Sequence, residues 1–335
     1  MRQAKSVFAA LFVLAVLVAA PVFAQDETPT IAEIVVSSAE ADAPEFTVLL
    51  AAVQAADPAI LEALSDPEAE LTVFTPTDAA FAALAEALGE EAFNEILTEE
   101  GTPRLNEILL YHAVNGVVMS GDVVAGLEEA ADMEMEGDDM MEPALHVVTL
   151  SGQYFDIAGN VEDGITVGNA NLVLDMVDIE ASNGVIHVID AVLVPELRTI
   201  ADIVVELASA EEGAEFTTLL TAVQAADPAV LELLADPTAA VTVFAPTDAA
   251  FGAVEGLEDI VADTALLTTI LQYHVFPGTV YSFELPGLLD DMGSATITMA
   301  DGSDATITVD DMGATINEAN IIDTDIQASN GVIHV

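Results

Sequence analysis

LTVFTPTDAAF at residues 71–81 returns as VTVFAPTDAAF at 241–251. In the first copy the β-branched and aromatic run Leu71 to Phe74 reads as a strand. Pro76 and Thr77 make a turn, and Thr77 is placed to cap a helix that runs to about Leu88 and stops at Gly89. A strand, cap, helix unit that occurs twice makes the chain an internal repeat, and the rest of the sequence is read against that repeat.

Upstream, FTVLLAAVQAADPA at 46–59 recurs as FTTLLTAVQAADPA at 216–229, at the same offset of 170 residues. Downstream the offset shrinks. Tyr111-His112 matches Tyr273-His274, and ASNGVIHV at 181–188 matches 328–335. The order of motifs is kept while the loops between them vary. Part of the shrinkage lies in an extra acidic, Met-rich segment from Leu127 to Pro143, which reads as a solvated loop. The copies join at Pro195-Glu196-Leu197-Arg198-Thr199, too short a linker for independent beads. This gives a first domain over 30–196 and a second over 199–335. Val335 falls inside the motif that continues in the first copy as Ile189 to Pro195, so the second domain is expected to be cut short at its C-terminal end.

Phe46, Leu49, Leu50 and Val53 follow the i, i+3, i+4, i+7 spacing of one apolar helix face, closed by Asp57-Pro58 and followed by a short helix from Ala59 to Leu64. Pro103 opens another helix whose Leu105, Ile108 and Leu109 point inward. From His146 to Val194, strand-like runs alternate with Gly, Asn and Asp turns. Helices in the first half of each copy and strands in the second predict an α+β domain rather than a βαβ sheet.

Arg2 and Lys5 precede an apolar run from Val7 to Ala20, and small residues lead to Ala24: residues 1–24 read as a secretory signal peptide. That run is shorter than a membrane-spanning helix requires, and no transmembrane segment is expected in the mature chain. The expected location is secreted, extracellular or at the cell surface, with the periplasm as the other compartment. The absence of cysteine excludes disulfides, thiol catalysis and zinc-thiolate sites. Two of the four basic residues leave with the leader, so 2 remain against 59 acidic ones, a formal charge of −57. Nucleic acid is excluded as a partner, because phosphate binding needs Lys and Arg clusters. The acidity suits a solubilising surface in a salty or divalent-rich exterior.

TVFTPTDAAF and TVFAPTDAAF resemble the first signature segment of the fasciclin (FAS1) family, NGVIHVIDAVLVP resembles its second, and the two Tyr-His pairs resemble the pair that lies between them. The resemblance covers nearly all of the mature chain, twice and in order. It extends to bacterial secreted fasciclin-domain proteins and to the beta-Ig-H3 group. It implies two tandem β-wedge domains with helices packed on a small sheet core, and roles in cell adhesion and matrix association. It also implies candidate binding residues, because integrin recognition in some animal members involves the Tyr-His pair and an Asp-Ile pair before the second signature. Here these are Tyr111, His112, Asp178 and Ile179, and Tyr273, His274, Asp325 and Ile326. Their flanking residues differ, and the leader and composition look prokaryotic.

The remaining motif residues read as structural. His112, His187, His274 and His334 recur without HExxH spacing or a Ser-His-Asp pattern, and read as histidines hydrogen-bonded to backbone. Asp78 and Asp248, after Thr77 and Thr247, suit the positive end of a helix. Asn183-Gly184 and Asn330-Gly331 read as tight hairpin turns. Asp132, Glu134, Glu136, Gly137, Asp138, Asp139 and Glu142 echo a calcium loop, but Pro143 stands where the closing Glu belongs, so the EF-hand pattern fails. Weak Ca2+ binding by acidic surface remains beside the reading as a flexible insertion. No metal, cofactor or catalytic site is assigned. The expected function is a non-enzymatic adhesion or matrix-interaction protein with a surface protein or glycan as partner. The alternative is an envelope protein that binds a small ligand or metal ion, with a hydrolase behind both.

Overall fold

The computed structural model describes residues 28–41, 44–98, 101–134, 143–210, 213–290, 293–310 and 313–335. The leader at 1–24 and residues 135–142 of the acidic insertion lie outside them. The first module runs through helices α1 (Ile31–Ala39), α2 (Thr47–Ala55) and α3 (Pro58–Ser65), strand β1 (Leu71–Pro76), helices α4 (Asp78–Leu88), α5 (Glu90–Ile96) and α6 (Thr102–Tyr111), strand β2 (Ala113–Asn115) and helix α7 (Ser120–Glu134). Six strands follow: β3 (Ala144–Val148), β4 (Tyr154–Asn160), β5 (Gly164–Val167), β6 (Ala170–Asn171), β7 (Ile179–Ala181) and β8 (Gly184–Ile189). The second module repeats the plan with α8 (Ile200–Ala208), α9 (Thr217–Ala225), α10 (Pro228–Ala235), β9 (Val241–Phe244), α11 (Asp248–Gly252), α12 (Leu257–Ala262), α13 (Thr264–Gln272) and β10 (Val275–Pro277). It closes with β11 (Ser294–Thr298), β12 (Asp304–Asp310), β13 (Gly313–Ile316), β14 (Ala319–Asn320), β15 (Ile326–Ala328) and β16 (Gly331–His334).

Each module holds two four-stranded sheets. One is a plain antiparallel meander, β3-β4-β5-β6 or β11-β12-β13-β14. The other, β2-β1-β8-β7 or β10-β9-β16-β15, pairs the first and last long strands of the module in parallel, with Leu71 opposite Gly184 and Pro76 opposite Ile189. This central pair is buried on both faces, as parallel strands usually are. Val188 faces the helices with Leu49, Val53 and Leu105, while Ile189 faces the meander with Phe155 and Ile157. The expected α+β class holds, with the strands of the helical half completing the sheet of the other half.

The acidic insertion is not a loop throughout, as it was expected to be. Leu127 to Glu134 continues α7, and Val123 and Leu127, one turn apart, are buried against Phe74 and Phe155. In the second module a 3-10 turn, Ser282–Gly287, stands in its place.

Asn183 and Asn330 also differ from the expected tight turn, in which Asn and Gly would share the loop. Ser182 and Asn183 form the loop and Gly184 already pairs in β8. The Asn183 side chain is buried and makes three bonds: it accepts from the Ile31 N–H (2.9 Å) and donates to the Leu64 and Asp66 carbonyls (both 3.0 Å). Asn330 does the same for Ile200, Leu234 and Asp236. One amide thus ties the start of the first helix, the end of the third and the final hairpin together. Gly184 and Gly331 have φ of +151° and +143°, and a Cβ there would sit 2.0 Å from the Leu71 carbonyl oxygen or 1.8 Å from that of Val241.

Asp78 and Asp248 act on a neighbouring helix. Phe46 and Phe216, the residues before α2 and α9, sit at φ +64° with no side-chain cap of their own. Asp78 supplies the cap by accepting from the Thr47 hydroxyl (2.7 Å) and the Val48 N–H (2.9 Å). Asp248 accepts from Thr217 and Thr218 in the same way.

The modules meet in an aromatic seam. The His146 ring stacks on Phe283 with centroids 4.6 Å apart, and Tyr154 packs edge-on against Tyr281 (4.9 Å) and Phe283 (5.0 Å). The Gln327 amide brackets Tyr154, accepting from its N–H (2.9 Å) and donating to its carbonyl (3.1 Å), while the Tyr281 hydroxyl donates to the Gly152 carbonyl (2.9 Å). At the linker, Arg198 pairs with Glu196 and Glu206.

Three tests follow from this architecture. Asn183→Ala strips partners from one buried and two part-buried backbone groups and is expected to cost about 2 kcal/mol, read by urea denaturation. The Thr217 hydroxyl bond holds the Asp248 carboxyl down at about 2 against an ordinary 3.8. Its contribution is therefore full above about pH 4 and lost as pH falls through 2. Asp248→Asn keeps an acceptor but removes its charge, so it should lower thermal stability at pH 7 by about 1 kcal/mol, the difference between charge-assisted and neutral hydrogen bonds, and the gap to the parent should close by pH 2. Comparison at each pH cancels the relief of self-repulsion as other carboxylates protonate. Phe283→Ala removes the centre of the seam, and small-angle scattering should then show a more extended pair.

Candidate functional site

The candidate binding residues fall into two constellations per module. In the first, Asp178 stands just before β7 at φ +55°. Its carboxylate accepts from the Ser120 N–H (2.7 Å) and hydroxyl (2.5 Å), at the start of α7. Its own N–H donates to His187 Nδ1 (3.2 Å), and His187 Nε2 lies 2.8 Å from the Val118 carbonyl. One neutral tautomer, protonated at Nε2, satisfies both contacts. Burial pushes the Asp178 carboxyl up, but the Ser120 bonds outweigh it and leave the group below the ordinary carboxylate range. Asp325, Ser282, His334 and Val280 repeat every one of these contacts in the second module. The strained Asp is held by a serine on one side and a histidine on the other.

In the second constellation, Tyr111 closes α6 and its hydroxyl donates to the Tyr154 carbonyl (2.8 Å). His112 Nδ1 lies 2.7 Å from the Ile108 carbonyl, and Nε2 accepts from the Leu193 N–H (2.9 Å). Burial holds the His112 pKa down to about 4 and pushes the Tyr111 hydroxyl up to about 12, so both stay neutral across the physiological range. Tyr273 donates to the Asp304 carbonyl (3.1 Å) and accepts from Asn317 (2.9 Å), and His274 Nδ1 lies 2.8 Å from the Ile270 carbonyl.

The two modules do not present these residues equally. Asp178 keeps 32% of its side chain exposed, whereas Asp325 keeps 11%. The cause is the seam: Gln327, two residues after Asp325, is the residue that brackets Tyr154 of the first module. Tyr111 and His112 are 8% and 4% exposed, while Tyr273 and His274 are half-buried. Ile179 and Ile326 are both half-buried and pack toward the cores. Among these candidates Asp178 of the first module and Tyr273 and His274 of the second keep the most exposure. The Tyr111-His112 pair is interior.

His146 is the histidine outside the repeat, and sequence reasoning passed over it. Its Nδ1 lies 2.6 Å from an Asp156 carboxylate oxygen, and its ring is half of the stacked pair at the seam. Its lack of a counterpart in the other copy was the available signal. Among the described residues no group of three or more His, Cys, Asp or Glu side chains is arranged to hold a metal ion. No helix among them is long and apolar enough to cross a membrane.

The model of the fasciclin domain matches residues 44–195 and again 214–335. Protein sll1483 of Synechocystis sp. is 35% identical over 174 residues, covering 52% of this chain and 78% of that protein. Human periostin is 30% identical over 216 residues, 64% of this chain and 21% of periostin. A solved FAS1 domain pair from the insect cell adhesion molecule fasciclin I aligns over 85% of this chain and 92% of that one, at 18% identity and a TM-score of 0.36. Matched by the family's model in two successive copies that cover most of its length, this chain belongs to the fasciclin-domain family.

Proposed function

We propose that the chain is a secreted or cell-surface, non-enzymatic adhesion or matrix-interaction protein that works through its paired fasciclin domains. The observation that carries this reading is how the motif residues are used. His112, His187 and His334 each have both ring nitrogens engaged with backbone groups, and Asp178, Asp325, Asp78 and Asp248 accept from backbone and hydroxyl donors. Side chains committed in this way build a scaffold, and what a scaffold offers a partner is its surface.

That surface is strongly acidic, so the partner chemistry favoured is a basic protein face, or an anionic surface protein or glycan bridged by divalent cations. Two modules in contact add their contacts toward one surface, which raises avidity without any new kind of interaction. Their unequal exposure makes that engagement asymmetric, with different edges offered by each module.

The test is binding of the whole two-domain protein to its producing cells and their isolated matrix, with and without Ca2+, at low and high salt. Saturable binding is expected. Loss in high salt identifies a basic partner, and loss on chelation identifies cation bridging. Phe283→Ala, which loosens the seam, should weaken the apparent affinity by about tenfold. An absence of saturable binding under every condition overturns the reading.

A further inference from the structure

The second module holds the first with one edge of its sheet. That edge consists of β15, the end strand of β10-β9-β16-β15, and of residues 281–283, which the Ser282 bonds to Asp325 fasten beside it. Three side chains make the contact: Gln327 brackets the Tyr154 main chain, the Tyr281 hydroxyl reaches the Gly152 carbonyl, and Phe283 stacks on His146. The first module builds the same edge. β7 ends its sheet, and Ser120 is tied to Asp178 as Ser282 is to Asp325.

In the first module the three contact positions hold Met119, Gly121 and Glu180 in place of Tyr281, Phe283 and Gln327. Glu180 and Gly121 are exposed, and the Glu180 carboxylate has no hydrogen-bond or ion-pair partner among the described residues. A shallow concavity of about 290 Å3 lies beside Glu180, with Ala69, Glu70, Val117, Met119 and Ala181 among its walls. Val117, a bare aliphatic side chain, stays 48% exposed there. The fold therefore uses this edge once for docking and presents it a second time uncovered.

Glutamate in place of glutamine changes what the edge can grip. An amide offers a donor and an acceptor, which suits a peptide group, and Gln327 uses both on Tyr154. A carboxylate offers acceptors and a negative charge. The side chain that meets both of its oxygens is a guanidinium, whose parallel N–H pair fits a carboxylate in two-pronged fashion. Val117 and Met119 supply apolar wall for the methylene stem of such a side chain, and Glu70 adds a second carboxylate. A second copy of this chain is a poor occupant. The counterpart of Tyr154 is Asp304, the residue whose carbonyl receives Tyr273 as that of Tyr154 receives Tyr111, and head-to-tail stacking would set Asp304 against Glu180.

We propose that the β7 edge of the first module docks an extended segment of a basic partner protein through an arginine that pairs with Glu180. The inference rests on the adhesion reading and gives its basic partner a place to dock. The test titrates the full chain at low ionic strength with acetyl-Thr-Val-Arg-Val-Thr-amide, and with the same peptide carrying citrulline or lysine for arginine, followed by methyl NMR. Saturable shifts are expected at the Val117, Met119 and Ala181 methyls. Citrulline should raise the Kd about fivefold, the upper end for an exposed ion pair, and lysine about twofold, because it lacks the two-pronged fit. Glu180→Gln should erase the difference between the arginine and citrulline peptides. Glu162→Gln, on the turn between β4 and β5, should leave it intact. Both residues are exposed, so both variants should melt with the parent. Shifts spread over the whole acidic surface, equal affinity for arginine and citrulline, or the same effect from both substitutions overturns the proposal, as does self-association that Glu180→Gln abolishes. Parent and Glu180→Gln held equally by cells or matrix overturns it while the adhesion reading stands. Peptide binding as expected without any hold on cells or matrix supports the edge and overturns the adhesion reading alone.

Discussion

The structure depends on the parallel pairing of β1 with β8, the first long strand of the module with its last. More than a hundred residues separate Leu71 from its partner Gly184, so closing the pair costs loop entropy that only extensive burial repays. The return comes on both faces. One side of the pair receives the helices, the other receives the meander, and Val185, Ile186, Val188 and Ile189 are fully enclosed. Asn183 and Gly184 sit at the point where this pairing begins, and their roles are two parts of one constraint. The glycine lets the last strand approach the Leu71 carbonyl, and the amide fastens the helical half to the strand that has just arrived.

The local elements were legible because their signals are local. The spacing of Phe46, Leu49, Leu50 and Val53, the Thr77 cap and the Gly89 stop each rest on contacts within a few residues, and the helices lie where those residues put them. What the sequence hid were contacts made at long range. Phe46 looks like the first residue of an apolar helix face, yet it precedes the helix in a left-handed conformation unfavourable for an aromatic residue. Burial of its ring and the distant Asp78 hold it there. Asn183-Gly184 looks like a hairpin turn because Asn-Gly is one in isolation. Its use as a buried three-way tie depends on helix ends more than a hundred residues away. Leu127 was masked by its acidic surroundings: the composition of 127–143 suggests solvation, but a single buried leucine one turn after Val123 is enough to extend a helix over the meander.

The candidate site was legible as a set of positions but not as a surface. Repetition marks Asp178 with Asp325 and His187 with His334, and the structure joins each Asp to its His through a backbone N–H. Repetition also suggests two equivalent edges, and here it misleads. Equivalent residues in a tandem pair share their local contacts but not their neighbours, because one module's edge is the other's interface. Gln327 carries the information that breaks the symmetry, and its counterpart in the first copy, Glu180, is a charged residue on a solvent-facing strand position.

This asymmetry bears on how a duplicated domain diverges. The contacts that make the fold, the Asn tie, the aspartate cap and the serine-aspartate-histidine cluster, are the same in both copies to within a few tenths of an ångström. The copies differ, among other places, in the helix α7 against a 3-10 turn, in the eleven-residue α4 against the five-residue α11, and in the residues His146, Tyr281 and Phe283 at the seam. Where the two copies agree, the physics of one module explains the residue; where they differ at the seam, the explanation lies in the neighbour across it.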